Sequence, residues 1–558
     1  METLLYWLYA CGIFLIFFIP GFAIAQCIKN LNGGEKLSVS FGISFLFLLV
    51  LLPFFAFKLA LFGRIFFICI FGISLWFLFK KRKEIYFDSD ARYILFVLIA
   101  GIAMKLFLQI FWEYPVIGGD WFSHTFLLPH ALNSGNWTSP QDRTALFSIL
   151  IFSLHSVLNT SLYQFWISQI ASIVMNSIFI IPAYFIAKKV FSNTVAKTSI
   201  LFLLVTPFLN FQTLYTWPKN AAMYGILMMI YFLFFSDQNV KFRYIFAGFF
   251  AGFAFWFHNY SLIYIGVAVL ILAYCAIRSR VKNILFFVVP LFLILIPYCV
   301  WIYISYGTFS SSRFFYYPIA VRGYDSAFTE TPRELWKIFR ETPLREIFLT
   351  RIENAVITFT PATLPIDPIA TSFPHYNPIY YYSHDLPGAL STLMYIAVLC
   401  WFFAYIFRKR KTSAILVSFI FLPTFIFLLI WGWRDWGLLT AGFNPTIPLL
   451  VMLGMNELYS WNTRYMRLII YILFISAIIE NDIFAFLIGK FYLIEGGIQA
   501  LAKTGRQYIP DFQISQFISA HFLMEGSVSV LYNFLILVGI LIGAYFFYKK
   551  SVSKEESL

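Results

Sequence analysis

The chain has 558 residues, of which 61% are hydrophobic, 21% aromatic and only 12% charged. Soluble domains carry about 25% charged residues, so a soluble globular protein is excluded, and the long Phe-, Leu- and Ile-rich runs lack the alternation of an outer-membrane barrel. The net charge of +14 comes from Lys and Arg placed mostly in short loops, where they set membrane orientation, so nucleic acid is not the expected partner.

The pattern predicts an all-α polytopic membrane protein with about 15 spans, each able to cross roughly 30 Å of hydrocarbon. The first runs from Leu4 to Ala25; with no basic region before it and no clean cleavage site, it reads as a retained helix. Spans near Phe41–Phe62 and Ile65–Phe79 follow, then the basic run Lys80-Lys81-Arg82-Lys83, then Tyr93–Trp112. Further inside markers are Lys188-Lys189, Lys197, Lys241, Arg243, Arg278, Arg280, Lys282, Arg408 to Lys411, Arg464, Arg467 and Lys549-Lys550. They place 114–163, 212–220, 258–260, 306–388, 431–436 and 486–529 outside, with the N-terminus outside and the C-terminus cytoplasmic.

The chain reads as a single integral membrane unit. Its parts are N-terminal spans (1–112), a first large outer loop (113–163), core spans (164–305), a long outer loop (306–388), C-terminal spans (389–485), an outer loop (486–529), and a last span with its tail (530–558). In the long outer loop, PRELWKIFRE and PLREIFLTRIENAVITF gather apolar residues at helical spacing and predict helices lying in the interface. The Pro- and Tyr-rich stretch after them reads as irregular chain. Cys11, Cys27, Cys69, Cys275, Cys299 and Cys400 fall in or at the ends of apolar spans without paired spacing, so neither a disulfide framework nor a zinc site is expected. No internal repeat supports a two-halved transporter.

The stretch Tyr114 to Trp137, YPVIGGDWFSHTFLLPHALNSGNW, sets polar groups at the membrane edge. Gly118-Gly119 permits a tight turn before Asp120. A partly desolvated Asp120 suits proton removal from a hydroxyl; Asp at a helix start is also a plain cap. His124, four positions on, shares its face and would orient a substrate or Asp120, or serve as an interfacial polar residue. Two ligands are too few for a metal site, and no metal or other cofactor is indicated. Lys219 in QTLYTWPKN stands at an outer mouth, either snorkelling or holding a phosphate. His258 caps a short outer turn or lines a cavity, and Arg434 either pairs with Asp435 or clamps a phosphate.

The order of these features resembles the GT-C superfamily of polytopic glycosyltransferases, which includes lipid A aminoarabinose transferases, protein O-mannosyltransferases and Rgt-type sugar transferases. The features are an aspartate with a histidine four residues on, the stretch from His130 through Trp137, Leu162–Phe191 with its basic exit, Thr206-Pro207, and an aromatic outer loop. The resemblance is clearest from Trp112 to Tyr274. It implies a GT-C-like bundle and an inverting transfer on the extracytoplasmic face. The donor would be a polyprenyl or dolichyl phosphate sugar and the acceptor a hydroxyl on a glycan, lipid or protein. Asp120 matches the proposed base; Lys219 and Arg434 occupy places suited to the lipid phosphate. The chain departs from the O-mannosyltransferases in having Trp121 after Asp120, where they carry adjacent acidic residues.

The chemistry is consistent with that expectation, because a lipid phosphate is a ready leaving group and the sequence has no glycine-rich nucleotide loop. Three other readings stay open: an O-antigen-type ligase or polymerase using diphosphate-linked glycans, a transporter or flippase, and a non-catalytic assembly subunit.

Overall fold

In a computed structural model, residues 2–85, 87–109, 123–135, 145–214, 216–278, 284–306, 313–322, 330–359, 390–408, 414–430, 432, 442–461, 465–492 and 527–553 are described. The described residues are helical, with no strand among them. The N-terminal helices are α1 (Glu2–Cys27), α2 (Gly33–Ala56), α3 (Ala60–Lys80) and α4 (Ser89–Leu108). A π-helical turn (Ser123–Leu127) leads into α5 (Leu128–Asn133), followed by α6 (Leu146–Leu158), α7 (Phe165–Met175) and α8 (Ile180–Val190). Next come α9 (Asn193–Val205), α10 (Pro207–Leu214), α11 (Lys219–Ile230, continued by a π turn to Phe235), α12 (Val240–Phe257), α13 (Ser261–Arg278) and α14 (Ile284–Tyr306). A 3-10 turn (Arg313–Ile319) precedes α15 (Pro332–Glu341) and α16 (Leu344–Phe359). The last helices are α17 (Thr392–Arg408), α18 (Ala414–Ile430), α19 (Thr446–Ser460), α20 (Met466–Tyr492) and α21 (Ser527–Ser553).

Among the described residues, seven helical runs are long and apolar enough to cross a membrane, with α7 and α8 taken together as one run, or eight if α9 and α10 form one bent span, and several shorter apolar helices accompany them. The chain is a multi-pass membrane protein. The described helices establish no count of 15 spans: α6 is a buried apolar helix of 13 residues within 113–163, too short to cross by itself. The 165–190 run breaks at Asn176–Phe179. The two stretches of 306–388 expected to be helical form α15 and α16. Thr331 caps α15 in a reciprocal box with Glu334, and those hydrogen bonds hold the Glu334 carboxyl below the usual carboxylate range.

At one end of the bundle the basic exit of α8 finds acidic partners on two other segments. Lys188 pairs with Asp90, which also accepts from Tyr184 at 2.6 Å, and Lys189 reaches Asp237 at 2.7 Å. Glu35, at the start of α2, is 1% exposed. Its carboxylate accepts from Ser236 Oγ (2.7 Å), Gln238 Nε2 (2.6 Å), Tyr231 OH (3.3 Å) and Asn32 N (3.2 Å). One buried acid thereby ties α2 to the α11–α12 corner. Glu35→Ala leaves these donors without their shared acceptor, at a cost of about 3 kcal/mol. A thermal melt of the purified protein in detergent is expected to shift down by several degrees, with Glu35→Gln intermediate.

Breaks in membrane-embedded helices expose backbone groups that lipid cannot satisfy. At the α9–α10 break, Pro207 has no N–H and forces Thr206 into an extended conformation, and the axis bends by 53°. There Thr206 Oγ1 donates to Phe202 O at 3.0 Å, and at the next break, between α10 and α11, interior carboxamides answer for the freed groups. Asn176 Oδ1 accepts the Ala221 N–H at 2.9 Å, and Asn220 Nδ2 donates to Leu209 O at 3.0 Å and to Thr213 Oγ1 at 3.1 Å.

Candidate functional site

The end of the bundle opposite the basic clusters is where α11 begins. Lys219 is its first residue, preceded by Pro218, which suits a helix start. The first turn of a helix presents unpaired N–H groups and a partial positive charge. A lysine there adds charge of the same sign, which favours an anion. Lys219 is 3% exposed, and its Nζ lies 3.7 Å from the centroid of the Trp217 ring, a cation–π contact that fixes the ammonium at the mouth of the helix.

Two further segments converge here. At the end of α12, His258 breaks the helix with an extended backbone, and its Nδ1 accepts the Tyr260 N–H at 3.3 Å. Tyr260, fully buried, donates its hydroxyl to Lys219 O at 2.7 Å. The His258 turn therefore stands directly beside the start of α11. From the C-terminal side, Asn444 Nδ2 donates to Asn220 Oδ1 at 2.7 Å, and Thr446 Oγ1 shares a 2.9 Å hydrogen bond with Tyr264 OH. Gly442 has φ +144, and a Cβ there would run into the Tyr260 ring, so only glycine lets this segment lie so close.

The approach to Lys219 carries unsatisfied polarity. Gln212 and Thr216 are fully buried, and neither the Gln212 amide nor the Thr216 hydroxyl has a hydrogen-bond partner among the described residues. Thr216 also holds φ +58, a strained conformation for a β-branched residue. Strain and unpaired polar groups of this kind gather at functional sites.

Of the residues singled out in the sequence, Lys219 and His258 are brought together. His124 lies on the π turn, 1% exposed and edge-on to the Phe147 ring of α6 at 6.4 Å; no contact between His124 and the Lys219 group is described. Beyond it, half-burial pushes the His130 imidazole down, and its ring stacks on Phe126. Asp120 and Arg434 lie outside the described residues. The segments flanking Arg434 are anchored: Arg351 of α16 donates to Gly432 O at 2.9 Å and Pro318 O at 3.1 Å, while Gly442 and Asn444 rest on Tyr260 and Asn220. Among the described residues no group of three or more His, Cys, Asp or Glu is placed to hold a metal ion. Sequence reasoning passed over Asn176, Asn220, Asn444, Gln212 and Tyr260. The usable signal was a carboxamide inside an apolar run, which needs a buried partner.

Residues 143–303 match the sequence family described as dolichyl-phosphate-mannose-protein mannosyltransferase. That segment contains Lys219 and His258 but neither Asp120 nor Arg434. No curated protein matches the chain. Among solved structures, ArnT from Cupriavidus metallidurans in the apo state is 14% identical, with a TM-score of 0.34 over 69% of this chain and 76% of that one. The same protein bound to undecaprenyl phosphate is 14% identical, with a TM-score of 0.36 over 79% of this chain and 87% of that one.

Proposed function

We propose that this protein is an inverting glycosyltransferase that moves a sugar from a polyprenyl or dolichyl phosphate to an acceptor hydroxyl on the extracytoplasmic face. The observation that carries the reading is Lys219: a buried ammonium seated on Trp217 at the positive end of α11, inside the segment that resembles the mannosyltransferases. The acceptor oxygen attacks the anomeric carbon as the bond from that carbon to the phosphate oxygen breaks. The hydroxyl proton passes to the Asp120 carboxylate, and the bonding pair leaves on the phosphate. Lys219 stabilises the charge that develops there, with Arg434 assigned to the same phosphate and His124 and His258 to the sugar or acceptor. The basic pair Lys188 and Lys189 at the far end supports the extracytoplasmic placement. Neither an added metal nor another cofactor enters the steps.

The broken helices favour a second reading, transport of a lipid-linked sugar, since interrupted spans often line a translocation path. One experiment separates the two. The purified protein in liposomes is given the total lipid extract of its host together with the host's envelope glycan and protein fractions as acceptors, and prenyl-phosphate sugars are followed by mass spectrometry. Transfer consumes one monophosphate-linked sugar and releases free prenyl phosphate. A transporter only redistributes the lipid between leaflets, and an unchanged pool overturns the proposal.

A further inference from the structure

Lys105 lies in the last turn of α4, fully buried. Among the described residues its one hydrogen bond is a long one, from Nζ to Ser177 Oγ at 3.4 Å, and no carboxylate pairs with it. The Phe179 ring centroid stands 6.0 Å away, at the limit of a cation–π contact. Removing an unpaired ammonium from water is strongly unfavourable, and the carbonyl end of α4 offsets only part of that. Glu35, the buried acid at the other end, shows what a satisfied charge looks like in this fold: every donor around it is within 3.3 Å.

An independent observation sits one turn away. Gln109, at i+4 on the same face of α4, is 8% exposed, and neither atom of its amide has a partner among the described residues. Ser177 donates its own proton to Ile173 O at 2.7 Å, so its oxygen has lone pairs to offer but no donor to spare. Among the described residues the ammonium, held by one long contact to a neutral hydroxyl, and the Gln109 Nε2 donor are matched only by neutral acceptors, Ser177 Oγ and Gln109 Oε1. A group bringing negatively charged oxygens would satisfy both donors and the charge.

We infer that Lys105 and Gln109 form a binding site for an oxyanion of the substrate, the charge resting on Lys105 and the Gln109 amide donating at the rim. The oxyanion is either the phosphate of the prenyl carrier or a carboxylate or phosphate on the sugar side of the substrate. Its role in turnover rests on the glycosyl-transfer reading. Lys105 is thus a second cation in addition to Lys219, supplied by the helix that precedes the Asp120 segment in the chain.

The test uses the full-length protein in nanodiscs titrated with undecaprenyl phosphate. Lys105→Met is expected to weaken binding by about tenfold or more, Lys105→Arg to restore most of it, and Gln109→Leu to fall between, since charge-assisted hydrogen bonds are the strong ones. Without ligand, Lys105→Met is expected to melt at or above the wild-type temperature, because it removes an unpaired charge; a lysine serving only the fold would lower it. If the bare carrier binds wild type and Lys105→Met alike while sugar-loaded carriers from the host extract bind the variant more weakly, the oxyanion belongs to the sugar. Equal binding of both ligands to wild type and Lys105→Met overturns the site. If Lys219→Met alone loses carrier affinity, the transferase reading survives and this site falls. A wild type that binds neither ligand sinks both.

Discussion

Asp120→Asn is expected to lower kcat for sugar transfer by about 10²–10⁴-fold while donor binding stays within a few-fold of wild type. The substitution keeps the shape and hydrogen-bonding reach of the side chain and removes only its ability to take a proton. A cap role at a helix start predicts something different, because Asn caps as well as Asp and turnover would then be unchanged. What makes Asp120 the choice is its place in the chain. It stands just before the π turn at Ser123–Leu127, all of whose residues are buried, between α4 with Lys105 and the packed α5–α6 unit. The readout is single-turnover release of prenyl phosphate from the sugar-loaded carrier, with donor affinity measured separately. An acceptor with a lower hydroxyl pKa is expected to recover part of the lost rate in Asp120→Asn, which a folding defect would not allow.

Lys219→Met is expected to reduce kcat/KM by about 10²–10³-fold, the loss typical of removing one well-placed donor to a developing charge. The leaving phosphate gains charge as its bond to the sugar lengthens, so the ammonium interacts more strongly with the transition state than with bound donor. Both kcat and donor affinity therefore fall, with kcat falling further. Lys219→Arg keeps the charge but changes its shape on Trp217 and is expected to recover part of the activity. Loss of the cation–π contact also costs some stability, about 0.5–2 kcal/mol, so a melting curve accompanies the kinetics. Wild-type kcat/KM in a folded Lys219→Met protein would remove the phosphate role from this residue.

Much of the architecture is legible in the sequence because it is governed by local composition. Apolar runs give the membrane class, and the helical spacing of apolar residues in PRELWKIFRE marks a helix that forms as α15. Lys219 stands out as a lysine in a short segment assigned to the side opposite the inside basic markers. The interior is harder to read. Asn220 meets Asn444 across 224 positions, and Lys105 meets Ser177 across 72, pairings that no local pattern encodes. The break at Asn176–Phe179 lies in an apolar stretch that a hydropathy window joins into one span. α6 escapes notice for the opposite reason: its 13 residues are too few to count as a span yet apolar enough to be buried from Leu146 to His155. The meeting of the His258 turn with Lys219 depends on Tyr260, whose hydroxyl reaches back 41 positions, and an isolated tyrosine in a chain rich in aromatics carries no signal of that.

The most direct measurement is mass spectrometry of the lipids that stay with the purified protein, comparing wild type with Asp120→Asn. The account predicts that the variant retains a polyprenyl monophosphate sugar that the wild type turns over, and the retained lipid would name the sugar. A variant carrying only diphosphate-linked glycans, or no prenyl lipid in either protein, would contradict it.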